Sequence, residues 1–119
     1  MSKFSMEFEV SSEVRDAVVI VRARGEVDLA TAHLLDEGIA EAWTPPVPLI
    51  IDALEVGFMD STGLGVLVKA VQRTRIEGGT VAIAVSADRV RKVLAITGLD
   101  TFVSVHGSVD EAVRATKTG

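Results

Sequence analysis

A run of acid, hydroxyl and glycine residues in the middle of the chain, Asp60 to Gly65 (DSTGLG), has the residue types that could do chemistry. It directly follows the apolar Phe58 and Met59 and precedes apolar residues at helical spacing, so it predicts a helix that starts at Ser61. The amino end of a helix has unpaired N–H groups and a positive dipole end, which tolerate added negative charge. Ser61 is therefore a candidate phosphorylation site as well as a candidate helix cap.

The two glycines of this run, Gly63 and Gly65, need an explanation, because each glycine inside a helix costs about 1 kcal/mol relative to alanine. In one interpretation Asp60 or Ser61 only caps the helix, and the glycines only allow close packing. In the other, Ser61 is exposed and the glycines leave a flat surface that another macromolecule can approach closely. The second interpretation accounts for more of the pattern, since capping alone does not require two glycines.

A phosphoryl group on Ser61 would add about −1.5 to −2 charges directly beside Asp60. The helix start would tolerate this charge, so the fold is expected to survive the modification. The summed negative charge would repel an acidic or apolar docking surface. Phosphorylation is thus expected to act by blocking a partner.

Helical spacing also predicts which side of this helix is exposed. One face has large apolar side chains and is expected to pack inward: Leu64, Leu67, Val68 and Val71. The opposite face is then expected to be exposed, with one valine among small and charged residues: Gly63, Val66, Ala70 and Arg73. An exposed Val66 in that setting predicts a docking strip for a partner.

The rest of the chain predicts strands that alternate with helices. The predicted strands are Phe4–Val10, Ala17–Ala23 (ended by Gly25), Leu49–Asp52, Thr80–Val85 and Phe102–Val105. The predicted helices cover residues 30–43, Ser61 to Gly78, a segment capped by Ser86 and ended by Gly98, and a segment opened by a Ser108–Glu111 capping box. We expect one α/β domain over residues 1–119, with about four helices layered on a mostly parallel central β-sheet of about five strands. Its first two strands should form a hairpin, since no helix separates them.

The overall composition argues against several functions. The net charge of −5 opposes binding to nucleic acid or an anionic membrane, and an aromatic share of 4% leaves few platforms for stacking bases. The absence of cysteine excludes disulfides, thiolate metal sites and thiol catalysis. No signal pattern or membrane-length apolar run is present, so we expect a cytoplasmic protein without a cofactor.

The central segment resembles the signature of STAS domains, specifically those of bacterial anti-sigma factor antagonists. The matching residues are Asp52, Val56, Phe58, Asp60, Ser61, Thr62, Gly63, Leu64 and Gly65. The turn Gly25-Glu26-Val27-Asp28 is similar to a Gly-Glu-Leu-Asp turn of that family, and the predicted order of elements agrees from end to end. Leu54-Glu55 departs from the Ser-Gly that the family often has there.

The resemblance implies a partner switch. The unphosphorylated protein would bind an anti-sigma factor that is also a serine kinase, and would thereby free a sigma factor. The kinase would phosphorylate Ser61 and release the antagonist, and a phosphatase would reset it. The implied partner-binding residues are Asp28, Asp60, Ser61, Thr62, Gly63, Gly65 and Val66. Thr62 keeps a hydroxyl that could also be modified.

Other functions remain as alternatives. A hydrolase would need Ser61 with His33 or His106 and an acid, but Met59 stands where a Gly-x-Ser-x-Gly elbow needs its first glycine. The two histidines are predicted to lie on an exposed helix face and in a loop. A metal site from Asp28, Asp52 and Asp60 lacks a recognised ligand spacing, and Asp52 is expected to pair locally. A nucleotide-binding module lacks a phosphate-binding loop motif, whereas a STAS scaffold or regulatory subunit of a larger signalling or transport complex stays open.

Overall fold

The computed structural model describes the backbone of residues 3–5 and 8–118 and the side chains of residues 8–117. The strands are β1 (Lys3–Ser5), β2 (Phe8–Arg15), β3 (Val18–Val27), β4 (Leu49–Met59), β5 (Val81–Val85) and β6 (Ser104–His106). The helices are α1 (Ala32–Ala42), α2 (Ser61–Glu77), α3 (Asp88–Ile96) and α4 (Val109–Thr118), with a short 3₁₀ turn at Leu99–Thr101.

The strands form one sheet in sequence order, β1-β2-β3-β4-β5-β6. β2 and β3 pair antiparallel as the predicted hairpin, and β3 to β6 are all parallel. The α/β class with a mostly parallel sheet is therefore confirmed. Because βαβ crossovers are right-handed, parallel strands laid down in sequence order bring α1, α2 and α3 to the same face of the sheet.

The core is split by the sheet into two layers. On the face of α1, α2 and α3, alternate strand residues such as Val19, Val21 and Ile51 form the larger aliphatic cluster. On the other face, Ile20 and Ile50 belong to a smaller cluster with residues of α4. The alternation of β3 and β4 between two buried faces explains their nearly continuous apolar sequence.

The N-terminal strand differs from its prediction. The structure describes two strands in place of one, and the second, β2, continues to Arg15. The predicted inward position of Met6 lies outside the described residues. In β2, Phe8 and Val10 are buried and Glu9 is exposed, so the predicted alternation holds there.

The two central strands run further than predicted. β3 does not end at Gly25 but continues through it to Val27. Gly25 has a φ of 113°, which residues with a side chain rarely adopt, so the backbone at this position of the strand requires glycine. β4 continues past Asp52 to Met59 and stays paired with β3. The predicted turn at residues 25–28 is thus mostly strand, and the chain turns only after Val27.

Two of the predicted helix-end residues, Gly98 and Ser108, have their predicted roles, whereas Ser86 and His106 do not. Gly98 has a left-handed φ of 75° after α3, and the N–H of Glu111 donates to the Ser108 hydroxyl at the start of α4 (3.1 Å). Ser86 does not cap α3, because its hydroxyl donates to the carbonyl of Leu54 instead (2.7 Å). His106 is the last residue of β6 and not a loop residue.

Candidate functional site

The start of α2 is held by Asp60, which is its N-cap. One carboxylate oxygen accepts the N–H groups of Thr62 (2.9 Å) and Gly63 (3.2 Å), and the Thr62 hydroxyl also donates to it. These bonds, with the Thr62 hydroxyl first among them, lower the pKa of Asp60 below its ordinary value. Asp60 is therefore an ionised cap that satisfies two N–H groups at the helix start.

Ser61 is the first residue of α2, and its side chain is exposed, as predicted. Because Asp60 supplies the cap, the Ser61 hydroxyl is not required to hold the helix start. Thr62 is different, since it is half-buried and its hydroxyl is donated to Asp60. Modification of Thr62 would remove the hydroxyl that donates to Asp60, whereas modification of Ser61 would leave every bond of the cap in place.

The loop after β3 lies next to this helix start. The N–H of Asp60 donates to the carbonyl of Val27 (3.1 Å), which ties the end of β3 to the end of β4. The Asp28 carboxylate accepts the N–H groups of Ala30 (2.9 Å) and Thr31 (3.2 Å), so Asp28 shapes the loop from within. The loop presents Leu29, whose side chain is 80% exposed and whose N–H contributes to the lowered pKa of Asp60.

The two glycines of α2 have different surroundings. Gly63 is buried, and a Cβ there would lie 2.7 Å from both Met59 Cγ and Val27 Cγ1. Gly65 is exposed, and a Cβ there would have no neighbour within 4 Å. The prediction that both glycines form an open surface is wrong for Gly63, which allows close packing on the strand ends, and holds for Gly65.

This difference predicts opposite effects of the same substitution. Gly63→Ala is expected to lower the free energy of unfolding by about 1–3 kcal/mol, because the added methyl group overlaps well-packed side chains. Gly65→Ala is expected to raise it by up to about 1 kcal/mol, since alanine is the better helix former and meets open space. Urea denaturation of the two variants measures both values, and a loss of stability in Gly65→Ala would contradict the assignment.

The cap also predicts a pH effect that Thr62→Val isolates. The variant keeps the side-chain shape but removes the hydroxyl donor, so the pKa of Asp60 should rise towards its ordinary value of about 3.9. A depressed folded-state pKa contributes stability above the unfolded-state value and loses it as the pH falls through the folded-state value. The stability difference between wild type and Thr62→Val should therefore shrink below about pH 4. NMR titration of the Asp60 carboxyl carbon checks the pKa directly, and an unchanged value would contradict this role of Thr62.

The inward face of α2 is rotated by about one residue relative to the prediction. The buried residues follow the spacing i, i+3, i+4, i+7, i+8: Gly63, Val66, Leu67, Ala70 and Val71. Val66 is only 9% exposed, so the predicted docking strip centred on it is wrong. The physical reason is that α2 packs against α1 as well as the sheet. A groove of about 230 Å³ between the two helices is lined by Val66 and Ala70 of α2, by Ile39 of α1 and by Trp43, the residue after α1.

The exposed face of α2 contains Ser61, Gly65 and Val68, at positions i, i+4 and i+7. Val68 was predicted to be inward, but 40% of it is exposed. Leu29 of the neighbouring loop is also exposed, and we call these four exposed residues the Ser61 surface (Leu29, Ser61, Gly65, Val68). The exposed residues of α2 therefore differ from the predicted strip around Val66.

The residues considered for a metal site or a hydrolase are not arranged for either function in the described part of the chain. Asp52 is 4% exposed and pairs with Arg22 of the neighbouring strand (Nε to Oδ2, 2.8 Å), so its carboxylate is held within the sheet, although its partner is 30 residues away in sequence. His33 is on the exposed side of α1, and the ring of His106 bonds the Ser104 hydroxyl (2.9 Å). Within the described part of the chain no group of three or more histidine, aspartate or glutamate side chains could hold a metal ion. No helix among those same residues is long and apolar enough to cross a membrane.

Two features together define a class of protein. One is the sheet with three helices on one face, and the other is the exposed serine that directly follows the aspartate N-cap of the second helix. The family model of the STAS domain matches residues 9–112, and the chain belongs to this family.

Named relatives make the comparison more particular. The chain is 33% identical over 105 residues to the anti-sigma-F factor antagonist RsfA of Mycobacterium tuberculosis, covering 85% of this chain and 81% of that protein. It is 27% identical over 109 residues to the anti-sigma-B factor antagonist of Bacillus subtilis, covering 92% and 100%. The crystal structure of an anti-sigma factor antagonist from Mycobacterium paratuberculosis superposes with a TM-score of 0.84 at 28% identity, covering 92% of this chain and 94% of that one. These relatives are named as regulators of sigma factors and not as enzymes.

Proposed function

We propose that this protein is an anti-sigma factor antagonist whose binding is switched off by phosphorylation of Ser61. Its unphosphorylated form binds an anti-sigma factor with serine kinase activity and so releases a sigma factor. The kinase phosphorylates Ser61, the complex dissociates, and a phosphatase restores the binding form. The protein acts in the bacterial cytoplasm, without catalysis, cofactor or direct nucleic-acid contact of its own.

One observation carries this proposal: Ser61 is exposed at a helix start whose cap is supplied by its neighbour Asp60. A cap that already satisfies the N–H groups of Thr62 and Gly63 leaves the Ser61 hydroxyl accessible to a kinase. The helix dipole tolerates the phosphoryl group locally, so the fold can persist in both states. The added charge beside the ionised Asp60 changes only the surface that a partner meets.

The Ser61 surface supplies the docking contacts in this proposal. Leu29 and Val68 offer exposed apolar area, and Gly65, one turn beyond the serine, lets a partner backbone approach closely. The helix cost of Gly65 has no packing reason within the described residues, and partner approach explains it. The backbone under this surface is held by the hydrogen bonds and packing of Asp28, Asp60, Thr62 and Gly63. Val66 contributes only through its packing in the core.

The test is affinity capture from the cells that express the protein, with Ser61→Ala and Ser61→Asp as matched baits. Ser61→Ala is expected to retain an anti-sigma factor with a kinase domain, and Ser61→Asp is expected to lose it. Mass spectrometry of the wild-type protein should find phosphate on Ser61. Recovery of the same large assembly with both baits would contradict the switch and support the scaffold function.

A further inference from the structure

The strand that leads to Ser61 is irregular at two places. Opposite β3, Arg22 pairs with Asp52 but Arg24 pairs with Glu55, so two steps along β3 correspond to three along β4. A second extra residue follows, since Gly25 pairs with Val56 and Glu26 with Phe58. β4 therefore contains two β-bulges.

The bulges decide which β4 side chains enter the core. The buried residues of β4 on the helix-covered face are Leu49, Ile51, Ala53, Val56 and Met59, at spacings of two, two, three and three. An unbulged strand would direct Glu55 and Gly57 to that face, because the side-chain period of a strand is two. Each bulge thus shifts the inward positions by one residue, and the pair brings Met59 opposite Val27.

The first bulge is held by two side chains at Leu54. The N–H of Leu54 donates to Asp52 Oδ1 (3.2 Å), and the carbonyl of Leu54 accepts the Ser86 hydroxyl (2.7 Å). A bulge disrupts the ladder and leaves main-chain groups unpaired, and these two side chains satisfy both groups of Leu54. Asp52 is itself fixed through its other oxygen by Arg22 (2.8 Å).

The register of β4 sets the position of the serine. Because Met59 lies opposite Val27, the next N–H, that of Asp60, reaches the Val27 carbonyl (3.1 Å), and α2 begins at Ser61. A slip at Leu54 would move Asp60 out of this bond and would shift Ser61, the next residue, relative to the end of β3.

We propose that Asp52 and Ser86 are positioning residues for the switch: by holding the bulge at Leu54 they place Ser61 for docking and for phosphorylation. Neither residue belongs to the Ser61 surface. The inference rests on the proposed function for its consequence, whereas the bulge itself can be measured without a partner.

The test compares Ser86→Ala with Ser86→Thr, which keeps the hydroxyl, and with Ser108→Ala, which removes a hydroxyl that contacts α4 and not β4. Hydrogen exchange of the amides of residues 54–63 is expected to accelerate about two- to tenfold in Ser86→Ala, the range set by one hydrogen bond. Affinity for the anti-sigma factor retained by the Ser61→Ala bait is expected to fall by a similar factor. Ser86→Thr should restore both values, and Ser108→Ala should change neither.

Asp52→Asn keeps an oxygen acceptor for Leu54 and should exchange more slowly at residues 54–63 than Asp52→Ala. If Asp52→Ala does not fold, the Ser86 variants still decide the question. Unchanged exchange at residues 54–63 in Ser86→Ala, or faster exchange there with unchanged affinity, would overturn the inference and leave the proposed function intact. Failure of the wild-type protein to bind any anti-sigma factor would instead overturn the proposed function, and the exchange data would then test the bulge alone.

Discussion

Ser61→Asp is expected to bind the anti-sigma factor at least about tenfold more weakly than Ser61→Ala, a difference of about 1.4 kcal/mol or more. Binding is expected to weaken because the new carboxylate lies next to the ionised Asp60 and adds negative charge to the Ser61 surface. Ser61→Ala keeps the shape of that surface but removes the phosphorylation site, so it should bind constitutively. Isothermal titration calorimetry with purified partner measures both affinities.

A matched control tests whether the position of the added negative charge matters. Gln72 is exposed on the same face of α2, three turns beyond Ser61 and one turn beyond Val68, so Gln72→Asp adds the same charge about 16 Å along the helix from the phosphorylation site. We expect it to bind within about twofold of wild type, as is common for surface changes within ±0.5 kcal/mol. Ser61→Asp should melt at or slightly above the wild-type temperature, because an acid in the first helical turn contributes about 0.3–1 kcal/mol. Equal affinity of Ser61→Asp and Ser61→Ala would reject phosphate-controlled docking.

The second large effect is on stability, and it distinguishes a buried position of α2 from an exposed one. Val66→Glu is expected to destabilise the domain by about 3 kcal/mol or more, because it loses the apolar burial of valine and places a carboxylate in the packed layer between α1 and α2. Val68→Glu, two residues on, should change stability by no more than about 0.5 kcal/mol, since Val68 is 40% exposed. Thermal denaturation followed by circular dichroism compares the two.

Their binding should differ in the opposite sense. Folded Val68→Glu is expected to bind the anti-sigma factor more weakly than wild type, because the charge enters the Ser61 surface. Val66→Glu should lose binding only to the extent that it unfolds. A stable Val66→Glu variant with weakened binding would return the docking strip to Val66 and refute the orientation of α2 described above.

The elements with the clearest local signals were predicted best. α2 begins at Ser61 and ends before Gly78, as predicted, because an acid or hydroxyl at the start and a positive-φ glycine at the end are local properties of the chain. The exposure of Ser61 was also predicted. Ser86 was assigned to a cap, which is its commonest local use, but a bulge 32 residues earlier in the chain takes its hydroxyl instead.

The face of α2 was wrong for a reason that periodicity alone does not reveal. Gly63 has no side chain to mark it as inward and Ala70 has only a methyl group, so the larger Leu64 suggested a face shifted by one residue. The glycine is inward because α2 starts directly on the ends of β3 and β4, with no room for a methyl group. A glycine that permits close packing and one that leaves a surface open have the same sequence signal.

The sequence by itself determined the α/β class, the order of strands and helices, and the serine at the start of the second helix, because these depend on propensities and on residues close to one another in the chain. The tertiary structure decided the two bulges of β4, the inward face of α2, and the exposure of Leu29 and Val68. These features depend on contacts between segments far apart in sequence, namely β3 with β4, α1 with α2, and Ser86 with Leu54. Packing between such segments selects one register and one helix rotation from several that the local pattern permits equally well.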